Sequence, residues 1–566
     1  MPEPPLGAEP ADGVEARGPA PETRHRVGLS STGVFLINVA IQAIGFAANY
    51  FLYHRIAGPA SGTALVGTIQ LYLLIASSIN GMGDLRIGTA YTFFIARGQP
   101  AQQSTGTYLS LRLAMVAGAG IVLFLLGTVQ GTGLSFANSR EEYEGLAVFM
   151  GLPVLWSIQT VYTQLVVARG HSTLGQVPIL LESVIRTPLL IAAVFYWPTL
   201  EGLTLAYLPG AIASALFSIV PVVREVKGVS RTEMVRLFRY AWPLMGSLFL
   251  LYLANNAPPF LVNGYLGTTG LALFNAANAW RILALTVPAA VSMPLFPLLA
   301  SLHRRRSYDA LRGGTWKALR YTAMVVFPAV MVMIIYRVNL INIFANGAFP
   351  GPAAVPLAIL AASVIPASLS QIIGTSLNAI GYQRLELYLT GLQVAVLFGG
   401  AVLLLKPFYL FGLSGLEAVA VAMLGSSIAA LVLNTYYMER LMAVRIQIRP
   451  VAGILASAAV AFYAVSLVND VVAVGRYYGL ALGIVAGFAV YFLVLAAIGE
   501  LSREDVRYLA GALALPSRVG ETLSRVCWRQ RSPVVNVAQE GEGRALTGPS
   551  NVLEIDPTDE RPPGPR

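Results

Sequence analysis

Long apolar stretches recur along almost the whole chain, separated by short polar turns. A helix needs about 20 predominantly apolar residues to cross the hydrocarbon core of a bilayer. Fourteen stretches reach that length, and we number them spans 1 to 14 in chain order. The spans are 33–53, 64–83, 109–130, 146–167, 177–197, 203–223, 242–265, 271–297, 321–344, 355–378, 387–405, 415–437, 451–469 and 479–499. This pattern predicts an all-α, polytopic membrane protein with about 14 transmembrane helices.

The spans are expected to form two six-helix lobes followed by two C-terminal helices. A short repeat supports this division, because Phe51-Leu52 followed by Gly58 recurs 209 residues later as Phe260-Leu261 followed by Gly267. Transporters are often built from repeated halves, with the substrate path at their interface. The predicted organisation is a disordered cytoplasmic N-terminus (1–28), an N-lobe with spans 1–6 (29–223), a C-lobe with spans 7–12 (224–445), spans 13–14 (446–500) and a largely disordered cytoplasmic tail (501–566).

Charged residues are scarce and unevenly placed. They make up 12% of the chain, against roughly 25% in soluble domains. If the N-terminus is cytoplasmic, the inner loops and flanks from Arg24 to Arg507 hold 23 Lys and Arg residues and the outer loops hold 4. Positive charge concentrates on the cytoplasmic side of membrane proteins. The net charge of +10 therefore indicates orientation, not nucleic-acid binding, and predicts an inner-membrane protein with both termini cytoplasmic.

Several kinds of chemistry have no basis in the sequence. The single cysteine, Cys527, excludes a disulfide framework and a Cys/His metal site. None of the four histidines lies within a span, and no phosphate-binding glycine loop is present. The loops are too short to hold a catalytic domain. We therefore expect a transporter that needs no metal or cofactor, while coupling to H⁺ or Na⁺ stays open.

Five segments resemble the polysaccharide (O-antigen-type) flippases of the MOP exporter superfamily, which also contains multidrug antiporters and the peptidoglycan-precursor flippase. In this sequence the segments are Ile56–Pro59, Gly81–Ala90 (GMGDLRIGTA), Val235–Leu244 (VRLFRYAWPL), Leu377–Arg384 (LNAIGYQR) and Gly412–Glu417 (GLSGLE). The resemblance implies a two-lobed bundle that works by alternating access on a lipid-linked oligosaccharide. It also implies membrane lipids and glycan-assembly proteins, such as a polysaccharide polymerase, as partners.

Charged side chains inside a membrane are costly, so each is a candidate for function. Arg281 on span 8 has no acid within reach on its own helix and shares that helix with Asn275 and Asn278. Its forked donors match phosphate oxygens. The alternatives are an acid on another helix or snorkelling to the interface. Glu182 and Arg186 share one face of span 5, either as a self-neutralising ion pair or with Arg186 contacting a phosphate.

Three further charges lie at span ends. Asp84 and Arg86 follow span 2, where they either organise its inner end or, for Asp84, couple a proton or cation. Arg337 lies near the outer end of span 9, where snorkelling accounts for it.

Polar residues form stripes on three spans. Seven of their members are Asn38, Gln42 and Asn49 on span 1, Gln70 and Ser77 on span 2, and Asn256 and Asn263 on span 7. Such stripes face protein or water, so they indicate either helix–helix hydrogen bonds or a shared cavity. Pro258 and Pro259 on span 7 are expected to bend it and to act as a hinge.

Three functions are therefore weighed. The first is a flippase for a polyprenyl-pyrophosphate-linked oligosaccharide, which uses the positive cavity. The second is a cation-coupled multidrug antiporter of the same superfamily, which needs an acidic cavity. The third is a membrane-embedded glycosyltransferase or polymerase, which usually has a large catalytic loop.

Overall fold

The computed structural model describes residues 21–57, 59–96, 101–128, 136–137, 139–345, 350–405, 415–445, 447–471 and 476–499. Within these ranges every regular element is an α-helix. The described residues up to Leu495 form one compact unit, and the few beyond it belong to a second unit that begins at Ala496.

The described chain folds into 17 helices. Their bounds are α1 Pro21–Ile56, α2 Ala60–Met82, α3 Ile87–Ala96, α4 Ala101–Thr128, α5 Arg140–Ala168, α6 Ser172–Gly175, α7 Val177–Tyr196, α8 Leu200–Leu205, α9 Leu208–Glu225, α10 Arg231–Arg304, α11 Tyr308–Ile335, α12 Arg337–Ala345, α13 Pro350–Ala379, α14 Gln383–Leu405, α15 Gly415–Met442, α16 Ile448–Val471 and α17 Arg476–Ala497. Every predicted span has a helix at its position, which confirms the all-α polytopic fold.

Ten helical segments in the described part are long and apolar enough to cross a membrane. One of them, Phe249–Ser292, has 44 residues and covers most of spans 7 and 8. Shorter apolar segments, Arg449–Ala464 and Leu482–Ala497, lie in α16 and α17. The chain is a multi-pass membrane protein.

Helix α10 is two helices joined at Gly267. The backbone there has φ 68° and ψ −171°, a combination that is open essentially only to glycine. The break falls where the sequence predicts the short outer turn between spans 7 and 8. No other residue of α10 leaves helical geometry, so the backbone stays helical through Pro258 and Pro259.

Two details differ from the predicted boundaries. Helix α1 begins at Pro21, inside the segment 1–28 that was expected to be disordered. Span 9 is divided, because α11 ends at Ile335 and α12 begins at Arg337. The expected disorder of residues 1–20 and the tail from 500, with Cys527, lies outside the described residues. The lobe boundaries stay a prediction.

Two apolar clusters form the inner parts of the bundle. The first joins α3, α4, α5 and α9 to the start of α10, through buried residues such as Tyr91, Tyr108 and Leu237. The second joins the end of α10 to α11, α13 and α15, through residues such as Leu299 and Ile373. Helix α10 therefore packs on the first half of the chain at its beginning and on the second half at its end.

Candidate functional site

Arg281 is half-buried on the second half of α10. Its Nε donates to the Oγ of Ser363 on α13 at 3.1 Å, and that hydroxyl donates to the carbonyl of Leu360 at 2.6 Å. No carboxylate pairs with Arg281 among the residues that the structure describes. The serine thus orients the guanidinium through one nitrogen and leaves Nη1 and Nη2 without a described protein acceptor.

Two contacts place α1 beside the helix that carries Arg281. The Tyr53 hydroxyl donates to the carbonyl of Ala272 at 3.0 Å. Phe46 meets Trp280 edge to face, with ring centroids 5.1 Å apart. The two helices run antiparallel there, because Tyr53, the later residue on α1, contacts Ala272, the earlier residue on α10. Arg281 therefore contacts α13, and the residue before it, Trp280, contacts α1.

The polar stripe of α1 runs past this position. Helices rise about 1.5 Å per residue, so Gln42 and Asn49 lie about 6 Å and 4.5 Å along α1 from Phe46. Asn38 is half-buried and Gln42 is exposed. Asn49 accepts a hydrogen bond from Nε2 of Gln70 on α2 at 3.2 Å. This hydrogen bond joins the polar stripe of span 1 to that of span 2.

Helix α2 also packs closely on the first half of α10. At Gly67 an added Cβ would collide with the carbonyl oxygen of Thr268, and at Gly81 it would lie 2.7 Å from the Tyr252 ring. The Asn256 amide donates to the carbonyl of Tyr252 at 3.0 Å. The Asn256 amide is therefore hydrogen-bonded within its own helix, and it lies about two turns further toward the end of α2 at Met82 than Gln70 does.

The remaining asparagines of α10 are partly enclosed. Asn278 is 7% exposed and Asn263 is 6% exposed, and the side-chain oxygen of each has no described donor. Asn275 is half-buried. Asn278 lies about one turn before Arg281 on α10, so a buried polar group without a described partner belongs to the neighbouring turn of the helix.

Glu182 and Arg186 form an ion pair within the first half of the chain. Arg186 donates to Glu182 at 3.3 Å, and Trp156 on α5 donates to the same carboxylate oxygen at 3.0 Å. The guanidinium also lies 5.5 Å from the centre of the Tyr207 ring. No described contact brings this pair to Arg281. This geometry fits the first alternative for span 5, an ion pair in which Glu182 and Arg186 neutralise each other.

Asp84 has a partner that sequence reasoning missed. Arg112, 1% exposed, donates to Asp84 at 2.9 Å, and its Nη2 donates to Asn80 at 2.6 Å and Thr160 at 3.1 Å. The Tyr108 hydroxyl donates to the same carboxylate oxygen at 2.7 Å. Arg112 is one of the 23 basic residues assigned to the cytoplasmic loops and flanks, although it lies three residues inside span 3. Its sequence signal is a charged residue within an apolar run.

Two further charged groups lie in or beside the spans. Arg337, at the start of α12, donates to the carbonyl of Ile334 at the end of α11 at 3.0 Å, so this helix end satisfies it in part. Glu386, also missed, packs its carboxylate against Gly374 on α13, and one of its oxygens is buried without a described donor. No cluster of three or more metal-ligating side chains occurs in the described ranges.

Residues 139–349 match a family model described as polysaccharide biosynthesis protein. That stretch contains Glu182, Arg186 and Arg281. The structure of a lipid II flippase, MurJ, in an inward closed conformation aligns with 82% of this chain and 98% of its own, at TM-score 0.68 and 13% identity. An inward-facing multidrug resistance MATE family transporter of the MOP superfamily aligns over 72% and 98%, at TM-score 0.58 and 15% identity.

The chain shares the fold of these two transporters. A third structure with this fold, a MOP superfamily transporter from Pyrococcus furiosus, aligns over 74% of this chain and 95% of its own, at TM-score 0.53 and 15% identity. The reverse polarity of that transporter's binding pocket suggests that it has a different function. No curated protein sequence matches the chain at a significant level. The shared fold and the family match over residues 139–349 confirm the resemblance that the sequence motifs carry.

Proposed function

We propose that this protein is a flippase that moves a polyprenyl-pyrophosphate-linked oligosaccharide across the cytoplasmic membrane by alternating access, for surface polysaccharide biosynthesis. The match of residues 139–349 to polysaccharide biosynthesis proteins supports the glycan context. The likeness to a lipid II flippase in fold supports translocation over sugar transfer. The asymmetry of basic residues supports cytoplasmic termini, so that cargo loads at the inner leaflet.

The observation that supports an anionic cargo is that Arg281 has no acidic partner among the described residues. An arginine inside a membrane protein normally pairs with an acid or reaches the interface. Here Ser363 accepts one hydrogen bond, and the two terminal nitrogens keep their donors available. The residue before Arg281, Trp280, packs against Phe46 of α1, the helix whose polar stripe is hydrogen-bonded to α2 through Asn49 and Gln70. A pyrophosphate offers the oxygens that this fork fits.

The matching experiment compares two intramembrane arginines in a cell that depends on this protein for its surface polysaccharide. Arg281→Ala is expected to abolish the polysaccharide while the protein still reaches the membrane. Arg337→Ala is the control, because the Arg337 guanidinium donates to a carbonyl at the end of the preceding helix, α11. Full polysaccharide with Arg281→Ala would contradict the proposal. An equal loss in both variants would assign the effect to general damage.

A cation-coupled multidrug antiporter is the second candidate. The likeness to a MATE family transporter favours it, as does Glu386, which keeps one buried carboxylate oxygen without a described donor. A cationic drug requires free acid at the transport site. Asp84 and Glu182 are instead each paired with an arginine. Dye efflux that is lost with Glu386→Gln and retained with Arg281→Ala would favour this candidate over the flippase.

A further inference from the structure

The first three turns of α10 expose apolar side chains on the face opposite the core. On the inner face, Leu237 and Ala241 are fully buried in the cluster around Tyr108. On the outer face, Val235, Phe238 and Trp242 are 58%, 42% and 66% exposed. They are spaced i, i+3 and i+7, so they form one stripe along the helix.

This stripe lies at the level of the lipid headgroups. Trp242 begins the apolar run of span 7, and tryptophan favours the membrane interface. Arg239 precedes it by three residues, which places its Cα about 4.5 Å further toward the cytoplasm. Exposed apolar residues next to arginines are typical of helix segments that contact the headgroup–acyl boundary.

Two open cavities flank the stripe, and they share Val235 and Arg239. One, of about 400 Å³, lies between α10 and Phe94 of α3. The other, of about 520 Å³, lies between α10 and Leu111 of α4 and extends to Trp242. Most of the wall area is apolar, and the second cavity reaches Trp242 on the membrane side of Arg239, so it suits the first part of a hydrocarbon chain.

Arg239 supplies that charge. It is exposed and makes no hydrogen bond or ion pair with any residue that the structure describes. Arg236 beside it is already engaged, because it donates to Glu233 at 2.9 Å and lies 5.9 Å from the centre of the Phe94 ring. Residues 231–242 contain three arginines and one glutamate, so the segment has a net charge of +2.

We propose that the cavities at the start of α10 bind an anionic glycerophospholipid of the cytoplasmic leaflet, with its phosphate on Arg239 and its acyl chains running past Phe238 and Trp242 toward the membrane centre. Charge complementarity favours an anionic headgroup, because residues 231–242 have a net charge of +2. The lipid holds the start of α10 against α3 and α4, where helices of the first half of the chain meet the first helix of the second. This site lies apart from Arg281 and does not depend on the transported cargo.

The test uses the full-length protein in detergent, with lipid binding measured by native mass spectrometry. The probes are dioleoyl phosphatidylglycerol, dioleoyl phosphatidylcholine and a polyprenyl phosphate. Wild-type protein is expected to retain phosphatidylglycerol in preference to phosphatidylcholine. Arg239→Gln is expected to bind phosphatidylglycerol about fivefold more weakly, the effect of one basic residue at an anionic lipid.

The matched control is Arg305→Gln, which removes another exposed arginine from a basic cytoplasmic segment. It is expected to keep wild-type binding of phosphatidylglycerol. Equal binding by Arg239→Gln and wild type, or no preference for phosphatidylglycerol over phosphatidylcholine, would overturn the proposal. Stronger binding of the polyprenyl phosphate at Arg239 would also overturn it, because the occupant would then be a carrier lipid.

Discussion

Removing Arg112 should destabilise the protein more than any comparable change at its surface. Arg112→Met keeps the apolar length of the side chain and removes hydrogen bonds to Asp84, Asn80 and Thr160. Breaking a buried ion pair from one side costs about 3–5 kcal/mol. Asp84 keeps its hydrogen bonds from Tyr108 and from the Gly88 amide, so we expect about 3 kcal/mol.

The chain offers a control with the same distance and different burial. Arg140 donates to Glu144 at 2.9 Å, as Arg112 does to Asp84, but the side chains of the control pair are 92% and 67% exposed. Exposed pairs contribute less than about 1 kcal/mol. Arg140→Met should therefore change stability little. The free energy of unfolding of both variants can be measured by detergent denaturation of the purified protein.

The pairing itself is tested by a second substitution. If the cost of Arg112→Met comes from a carboxylate left without its partner, Asp84→Asn in the same chain should recover about 1–2 kcal/mol. The reasoning would be refuted if Arg112→Met and Arg140→Met lowered the free energy of unfolding equally. It would also fail if the double variant were as unstable as the sum of the single variants.

Three other predictions concern two glycine positions and one ion pair. Gly267→Ala forces a side chain onto a backbone with φ 68° and ψ −171°, and should cost about 1–3 kcal/mol by the same denaturation assay. Gly67→Ala should overpack the contact between α2 and Thr268 and lower the melting temperature, whereas Gly45→Ala, whose Cβ meets nothing within 4 Å, should not; equal shifts would refute the close approach. Glu182→Leu leaves Arg186 unpaired and should cost about 3 kcal/mol, and adding Arg186→Leu should restore most of it. A double variant no more stable than the single one would show that the cost does not come from the unpaired arginine.

The fold could be predicted because its signal is local. Each span is read from its own apolar length, and the turn between spans 7 and 8 lies at the glycine that the repeat singled out. Glu182 and Arg186 were found as a pair for the same reason, since four residues on a helix share a face. The division of span 9 at Tyr336 is not predicted, because no glycine or proline marks a break between Ile335 and Arg337.

The site could be predicted only in part, because its partners are distant in sequence. Arg281 stands out as a charge without an acid on its own helix, but nothing local indicates Ser363, 82 residues away. Asp84 and Arg112 are 28 residues apart and belong to different helices. The Asn49–Gln70 hydrogen bond is a similar case, since each stripe is visible alone and their meeting depends on how α1 packs against α2.

The central claim is that Arg281 receives the phosphates of a lipid-linked cargo. The most direct measurement is transbilayer movement of a fluorescent polyprenyl-pyrophosphate oligosaccharide in liposomes that contain the purified protein. Hydrogen bonds between charged groups contribute about 1.5–3 kcal/mol, so Arg281→Gln should slow movement roughly tenfold to a hundredfold, with Arg337→Gln close to wild type. Wild-type rates in Arg281→Gln liposomes would contradict the account.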